Sequence, residues 1–393
     1  SGGGGWAAGQ RSLLEARPTR SMNVSVVIRP SASLFGMNRD ISFLERLLDA
    51  PGPSGFEVRA ARVWREEAET FASDVRVDVS GNSFATVQPE GSPRVMLAGH
   101  IDEIGLQVTH IDEEGFLYVD EIGGWDPQVL VGQRVTILAR DGDVTGVIGK
   151  KAIHLLQPEE REQSSKTRQL WVDVGADDRD AVNSLGIRVG DPMVIAQGMV
   201  RLAGDLIASR AIDDRIGAFV VLEAIRLLAD DIAGLKASAS AVATVQEEIG
   251  YQGGGARTSA YSLDPDVALV VDVTFSTDVP DINKKELGEH SLGGGPVLSR
   301  GSAAHNAVFE MLAEVAEEEG IPYTIQASPK ATRTDADGIH LTRAGVPTGL
   351  ISVPNRYMHS PNEIVNVEDL FHTSQLIAAF VRRLGPDVDF TPR

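Results

Sequence analysis

The run Ala241-Val242-Ala243-Thr244-Val245-Gln246-Glu247-Glu248-Ile249-Gly250 decides how the rest of the chain is read. Its first half is apolar and reads as a buried strand. It then meets two adjacent carboxylates, and Gly250 and Gly253-Gly254-Gly255 turn the chain. Side-by-side carboxylates repel, so a core strand that ends on such a pair needs cations or protons to hold it. Neighbouring strand residues point to opposite faces, but where the backbone turns both can reach one cleft. One Glu could then hold a metal while the other moves a proton. Taken alone, the pair suits solvated surface acids rather better, and the surrounding sequence has to decide.

On both sides of this run, helices and strands alternate. Helices are expected over 215–228, 303–319 and 367–384, and strands over 239–245, 267–273, 323–327 and 349–353. Earlier, helices are expected over 41–50 and 56–72, parted by Pro51-Gly52-Pro53-Ser54-Gly55, with strands over 75–79, 84–87 and 94–98. This alternation predicts an α/β fold, a mixed sheet covered by helices on both faces. Between 106 and 204 the character changes. Short β-like segments follow one another at 106–111, 117–122, 134–138, 144–148, 170–174, 193–196 and 199–202. One helix is expected at 178–185, and 157–166 reads as a charged loop. Many short strands at close spacing suggest a small barrel or sandwich. The α/β domain therefore reads as two stretches, 38–104 and 205–393, interrupted by a β-rich insert at 106–204.

At 393 residues the chain can hold two such parts. Its net charge of −20, from 36 basic and 56 acidic residues, argues against nucleic acid or anionic membranes as partners. The same balance suits a salty cytoplasm, the expected location. No stretch approaches the ~18 apolar residues of a membrane span. There is no cysteine, so any metal must be held by His and carboxylates, which suits Zn, Co or Mn. Residues 1–36 carry Arg11, Arg17, Arg20 and Arg29 against Glu15 alone, after Gly2-Gly3-Gly4-Gly5. An Arg-rich, acid-poor leader suits a transit peptide. We favour an added tail or a start assigned too early, with Met37 as the true start, and expect 1–36 to lie outside the folded body.

Four further places share the grammar of the Glu pair. His100-Ile101-Asp102 follows the apolar run Val95-Met96-Leu97-Ala98, and a spacing of two puts His100 and Asp102 on one side. Such an Asp can orient the imidazole while the other ring nitrogen binds metal. Asp213-Asp214 stands before the helix at 215, where an acid either caps the helix or bridges two cations. Asp272 ends the apolar run Val270-Val271, and a buried lone carboxylate needs a cation or several donors. His359 follows the strand at 349–353. All five places lie near strand ends of an α/β pattern, where such folds carry their sites. Two His and three carboxylates make two nitrogen–oxygen metal sites that share one bridging carboxylate, and Glu247 is left over as the base.

With these residues in place, the chain resembles the tetrahedral-assembly aminopeptidases, dinuclear zinc or cobalt enzymes that remove N-terminal residues from peptides. The matching segments are Gly52-Pro53-Ser54-Gly55-Phe56-Glu57, Gly99-His100-Ile101-Asp102-Glu103-Ile104-Gly105, Gly123-Gly124-Trp125-Asp126 and Gly146-Val147-Ile148-Gly149. They continue with Ile212-Asp213-Asp214-Arg215-Ile216-Gly217, Gln246-Glu247-Glu248-Ile249-Gly250, Asp272-Val273-Thr274, Thr334-Asp335-Ala336 and Arg356-Tyr357-Met358-His359-Ser360-Pro361. They fall in the family's order and span about 42 to 385. The resemblance implies two divalent ions, Zn or Co, with Asp213 bridging. It implies His100 and Asp272 on one ion, Glu248 and His359 on the other, Glu247 as general base, and Asp102 as the partner of His100. It also implies that the insert is a β-barrel-like dimerisation domain and that homodimers build into a hollow tetrahedral dodecamer. The expected partners are thus peptides with a free N-terminus and further copies of the chain.

One departure stands out: such enzymes commonly carry a His where this chain has Phe275. The position is outside the implied ligand set, so the change bears on the pocket wall and leaves the identity of the preferred N-terminal residue open. The nearest rivals are a related dimetal carboxypeptidase or a deacylase of N-acyl amino acids. Their inserted domain is usually an α/β lid after the Glu pair, whereas here a β-rich insert precedes it. Paired Glu could serve glycoside chemistry, but His100, Asp213, Asp272 and His359 would then be idle. A scaffold that kept the fold and lost the chemistry would not need every ligand and the base. Thr334-Asp335-Ala336-Asp337 reads as either a helix cap or a pocket border, with capping favoured.

Overall fold

The apolar run that ends at the Glu pair becomes one strand of a large central sheet. The computed structural model describes residues 40–250 and 253–392, and all that follows concerns the unit from Ile41 onward. The expectation for residues 1–36 lies outside the described residues. The chain opens with β1 (Asp74–Val77), β2 (Ser83–Val87) and β3 (Arg94–His100). Next come β4 (Gly105–Ile111), β5 (Leu117–Ile122), β6 (Arg134–Ala139), β7 (Gly142–Gly149), β8 (Trp171–Asp173) and β9 (Pro192–Ile195). Then follow β10 (Val200–Arg201), β11 (Leu206–Ser209), β12 (Ser238–Thr244), β13 (Val267–Phe275), β14 (Val297–Gly301), β15 (Thr324–Ser328), β16 (Thr348–Asn355) and β17 (Glu363–Asn366).

The central sheet has the order β1-β2-β12-β3-β13-β16-β14-β15. Its middle four strands, β12, β3, β13 and β16, run parallel, while β2 and β14 run against them. Strands buried on both faces need apolar residues at every position, which explains the near-continuous runs. Along β3, Val95 and Leu97 enter one core, and Met96 and Ala98 the other. The first core is roofed by helices Ser42–Asp49, Val58–Ala68, Ile212–Asp230, Asn306–Glu319 and Val367–Arg383, through residues such as Leu47, Trp64, Phe219, Leu312 and Phe380. The second lies under helices Gly254–Leu263 and Asp335–Ile339. The mixed sheet with helices on both faces is therefore as the alternation predicts.

Between β3 and β11 the chain builds a closed barrel, β4-β5-β8-β7-β6-β9, around Leu106, Val119, Val135, Ile148 and Val172. The alternative of a sandwich falls away. The strand expected at 199–202 is not part of the barrel: Val200 pairs with Ala208 and Ile207 with Val365, forming a separate sheet β10-β11-β17. The charged segment 157–166 contains one helical turn, Pro158–Arg161, started by its proline.

The chain leaves for the barrel and returns from it through a buried ionic knot. Glu103 Oε1 accepts from Arg215 Nη2 at 2.7 Å and from the Gly52 N–H at 3.0 Å, and Oε2 accepts from Arg210. Arg215 also donates to the Ile101 and Leu47 carbonyls at 3.1 and 3.0 Å, and Arg210 to those of Asp49 and Gln197 at 2.7 and 3.1 Å. Both crossing segments are thus tied to the same loop between the first two helices.

Candidate metal centre

The parallel middle strands all end on one side of the sheet, and this is where the singled-out residues meet. His100 is the last residue of β3 and pairs in register with Thr244, the last residue of β12. Glu247 and Glu248 follow three and four residues later. Asp272 projects from β13, whose strand continues to Phe275. His359 lies in the loop beyond β16. Asp213 and Asp214 begin helix Ile212–Asp230 with non-helical φ/ψ and a cis peptide between them, so regular helix starts only at Arg215. The helix can come this close because Gly99 lacks a side chain: a Cβ there would meet the backbone of Gly217 at 2.4 Å. Ala211, Gln246, Tyr357 and His359 hold positive φ without being glycine. Such backbone costs on the order of 1–3 kcal/mol per residue, and it gathers around this cluster.

Asp213 sits at the centre. Its Oδ1 lies 3.2 Å from His100 Nε2 and its Oδ2 lies 3.3 Å from His359 Nε2. Glu248 Oε2 is also 3.3 Å from His359 Nε2, whereas Glu247 Oε2 stands 3.8 Å from His100 Nε2. Ligand atoms of His100, Asp213 and Glu248 lie within 4.8 Å of one another, as do those of His100, Asp214 and Asp272. Asp214 is committed elsewhere, since it accepts the N–H groups of His100 at 3.2 Å and Gly217 at 3.1 Å. The structure thus brings together all seven residues singled out in the sequence.

Asp102 does more than face His100, whose Nδ1 is 3.5 Å from Asp102 Oδ1. It accepts the N–H groups of both Glu247 and Glu248 at 3.1 Å, and the Ser54 hydroxyl. Glu363, which sequence reasoning did not single out, has the matching role on the other side. It accepts the Asp213 N–H at 2.9 Å and the His359 N–H at 2.7 Å. In sequence it is one acid in a polar stretch four residues after His359, and only β17 bends it under the site. The barrel contributes as well, because the Gly124 carbonyl lies 2.8 Å from His359 Nδ1. Asp335, weighed above as a helix residue, is buried and accepts from Thr244, while Thr334 makes the cap to Ala336 N–H. Capping and pocket border therefore fall to neighbouring residues.

The electrostatics show what this cluster lacks. Burial pushes Glu247 up to about 10 despite the pull of His100, and Glu248 up to about 7 with help from the Asp213 charge. Burial, followed by the Asp213 charge, also holds Asp272 and Glu363 well above the usual carboxylate range. Asp213 runs the other way: burial alone would raise it, but hydrogen bonds from His100 and His359 hold it well below that range. Burial would lower both imidazoles, yet hydrogen bonds to carboxylates win, raising His100 strongly and His359 to about 11. The cluster is short of positive charge. Glu248 Oε1 is buried with no hydrogen-bond partner among the described residues. Buried carboxylates in such excess are stable when they coordinate cations, and imidazole and carboxylate donors fit divalent metals. The cluster opens into a cavity of about 1240 Å³, lined at this end by Asp213, Glu247, Glu248, Asp272 and His359.

An imidazole–carboxylate cluster at the carboxyl edge of a mixed sheet, opening on a cavity of that size, is the arrangement of a metallopeptidase. Residues 81–376 match the family model described as M42 glutamyl aminopeptidase, and the chain belongs to that family. It is 35% identical to the lysyl aminopeptidase of Pyrococcus furiosus over 90% of this chain and 99% of that protein. Its structure is similar to the TET aminopeptidase of the marine sediment archaeon Thaumarchaeota archaeon SCGC AB-539-E09, with a TM-score of 0.83 and 36% identity, covering 88% of this chain and 96% of that one. It is also similar to the Pyrococcus horikoshii TET1 peptidase, which can assemble into a tetrahedron or a large octahedral shell. There the TM-score is 0.77 and the identity 30%, over 88% of this chain and 99% of that one. The chain is accordingly an aminopeptidase, a hydrolase of peptide bonds.

Proposed function

We propose that the cluster holds two divalent ions, zinc or cobalt, and that Glu247 is the general base of N-terminal peptide hydrolysis. In this reading His100 and Asp272 serve one ion, Glu248 and His359 the other, and Asp213 both. The observation that carries it is the posture of Asp213, whose two oxygens each face a different imidazole, at 3.2 and 3.3 Å. When bound, such ions polarise the scissile carbonyl and lower the pKa of an attacking water. Glu247 takes the proton from that water and hands it to the leaving amine. Its position supports this: its side chain is more open to the cavity than that of Glu248, at 17% against 5%. Asp102 and Glu363 hold the backbone under these groups, so the geometry is set before substrate arrives. The acidic end of the cavity favours a free α-ammonium group, which a chain interior does not offer.

The experiment is metal analysis of purified protein combined with an EDTA-sensitive assay on aminoacyl p-nitroanilides. Two ions per chain and loss of activity on chelation are expected; turnover that survives complete metal removal would sink the reading. Homo-oligomeric assembly through the barrel, as dimers building toward a dodecamer, is part of the same proposal and rests on the named assemblies of the TET1 relative. The cytoplasm remains the proposed location on the acidic balance alone. Which N-terminal residue is preferred does not follow from the family, since one relative is named for lysine and the family for glutamate.

A further inference from the structure

The two imidazoles of the cluster are held by different means. His100 ends β3, its side chain is 2% exposed, and its Nδ1 lies 3.2 Å from the Asp102 carbonyl of its own segment. The side chain of His359 is 33% exposed, and its ring finds its partner in the insert, where the Gly124 carbonyl lies 2.8 Å from Nδ1. A carbonyl oxygen only accepts, so the proton of that bond is on Nδ1. The lone pair of a neutral ring is then on Nε2, the nitrogen that faces Asp213 and Glu248 at 3.3 Å.

The loop that carries this carbonyl follows β5 and is itself pinned. The Trp125 indole N–H donates to the Gly105 carbonyl at 2.9 Å, and the ring packs against the barrel core. Asp126 accepts the Gln128 N–H at 3.0 Å, capping the single turn Pro127–Leu130. Gly123 stands at φ +76°, and a Cβ there would meet Ile104 at 2.5 Å. Gly105 comes five residues after His100, in the segment that crosses to the barrel. Trp125 thus ties the support of the His359 ring to the segment that bears His100.

We infer that Trp125 is a positioning residue for the metal centre: by anchoring the Gly124 carbonyl on His359 Nδ1 it aims Nε2 at the ion assigned to His359 and Glu248, and that ion alone depends on it. Trp125 acts through His359 and touches neither ion nor substrate. A part-exposed ring without this acceptor is free to turn to solvent or to present its other nitrogen. Losing such a partner of a ligating imidazole costs about 10–100-fold in metal affinity. His100 keeps its own acceptor, so the second ion is spared. The inference rests on the two-ion reading of the cluster.

The test reads the zinc content of the full-length protein by elemental analysis over a series of chelator-buffered zinc concentrations. It compares the unaltered chain with Trp125→Phe, Gly123→Ala, His359→Ala and the double variant Trp125→Phe with His359→Ala. Trp125→Phe keeps an aromatic ring and removes the N–H, whereas Gly123→Ala displaces the loop itself. Each should weaken one ion by about 10–100-fold and leave the other within about twofold. Trp125→Phe should add nothing to His359→Ala, because both act on one ligand. Equal weakening of both ions, additive losses in the double variant, or unchanged affinity in both loop variants overturns the inference and leaves the two-ion reading standing. A second measurement needs no variant. By proton NMR, the unaltered enzyme loaded with cobalt should show a hyperfine-shifted imidazole N–H for each ligating His, both exchanging slowly in D2O. Rapid exchange of one of them means that His359 lacks a fixed acceptor, and the inference falls. Fewer than two ions in the unaltered chain, or two ions at full affinity in His359→Ala, overturns the two-ion reading and the inference with it.

Discussion

Glu247 and Glu248 are neighbours in sequence with separate fates in the fold. Glu248 is packed against His359 with one orphaned oxygen, while Glu247 looks into the cavity. Replacing Glu247 by Gln should lower kcat by at least about a hundredfold with metal content unchanged. Replacing Glu248 by Gln or His359 by Ala should lower metal stoichiometry, read by elemental analysis after dialysis. A Glu247→Gln enzyme with near-native turnover would remove the base from the mechanism. Metal uptake should also depend on pH in a fixed direction. Burial keeps a proton on Glu248 up to about 7, and that proton must leave before a cation can be bound. His359 holds its proton up to about 11 and must also release it, so affinity should fall as pH is lowered from there and more steeply below about 7, by about tenfold per unit for each proton displaced. Calorimetry in two buffers of different ionisation enthalpy should detect proton release; pH-independent affinity between pH 6 and 8 would contradict it. The residues of this site could be read from sequence because each follows an apolar run that has no other reason to end in an acid or a His. Glu363 could not, because it acts through backbone N–H groups of residues distant in sequence, and no local pattern marks such a partner.

At the scale of elements, two contacts set the site. The first is the approach of β3 to the helix that begins at Asp213. A methyl group on Gly99 has no room against Gly217, so Gly99→Ala should cost about 1–3 kcal/mol in urea unfolding and displace His100 from Asp213. The second is the knot of Glu103, Arg210 and Arg215. Burial lowers Arg215 to about 10, with Glu103 pulling the other way, so it stays charged at neutral pH. Glu103→Gln leaves two buried guanidinium groups without a counter-charge and should destabilise by about 3 kcal/mol or more. Unchanged stability would mean that the carbonyl acceptors alone satisfy both arginines. The long helices were legible because burial of a face imposes a period on them, and the middle strands because burial on both faces makes them continuous apolar runs. Helix Gly254–Leu263 was not: its Gly254-Gly255 start reads as a turn, and its packing against helix Asp335–Ile339 outweighs that local preference. The short strands β11, β14 and β17 escaped for a related reason, since four or five residues carry too little pattern to stand out.

For the whole molecule, the order of the parts was plain in the sequence, because a β-rich stretch interrupts an alternating one. Closure of the barrel was not, since strand pairing between distant segments leaves no mark on either. The barrel carries exposed Ile153, Leu155 and Val147, at 60%, 67% and 45%. If copies associate through this part, light scattering should give a native mass that is a multiple of 42.0 kDa. Ile153→Asp combined with Leu155→Asp should reduce it, and an unaffected mass would place the interface elsewhere. The way the site is tied together has a last consequence, for genetics. The residues around the cluster come from separate segments, yet their backbones converge on two side chains, Asp102 and Glu363. Neither is proposed to touch an ion or a substrate. A saturation screen for loss of activity should nevertheless return changes at 102 and 363 as often as at the ligands themselves. Glu363 would be a single point of failure for two ligand segments at once and Asp102 for the whole Glu pair, and even the swap to Asn or Gln would not be silent.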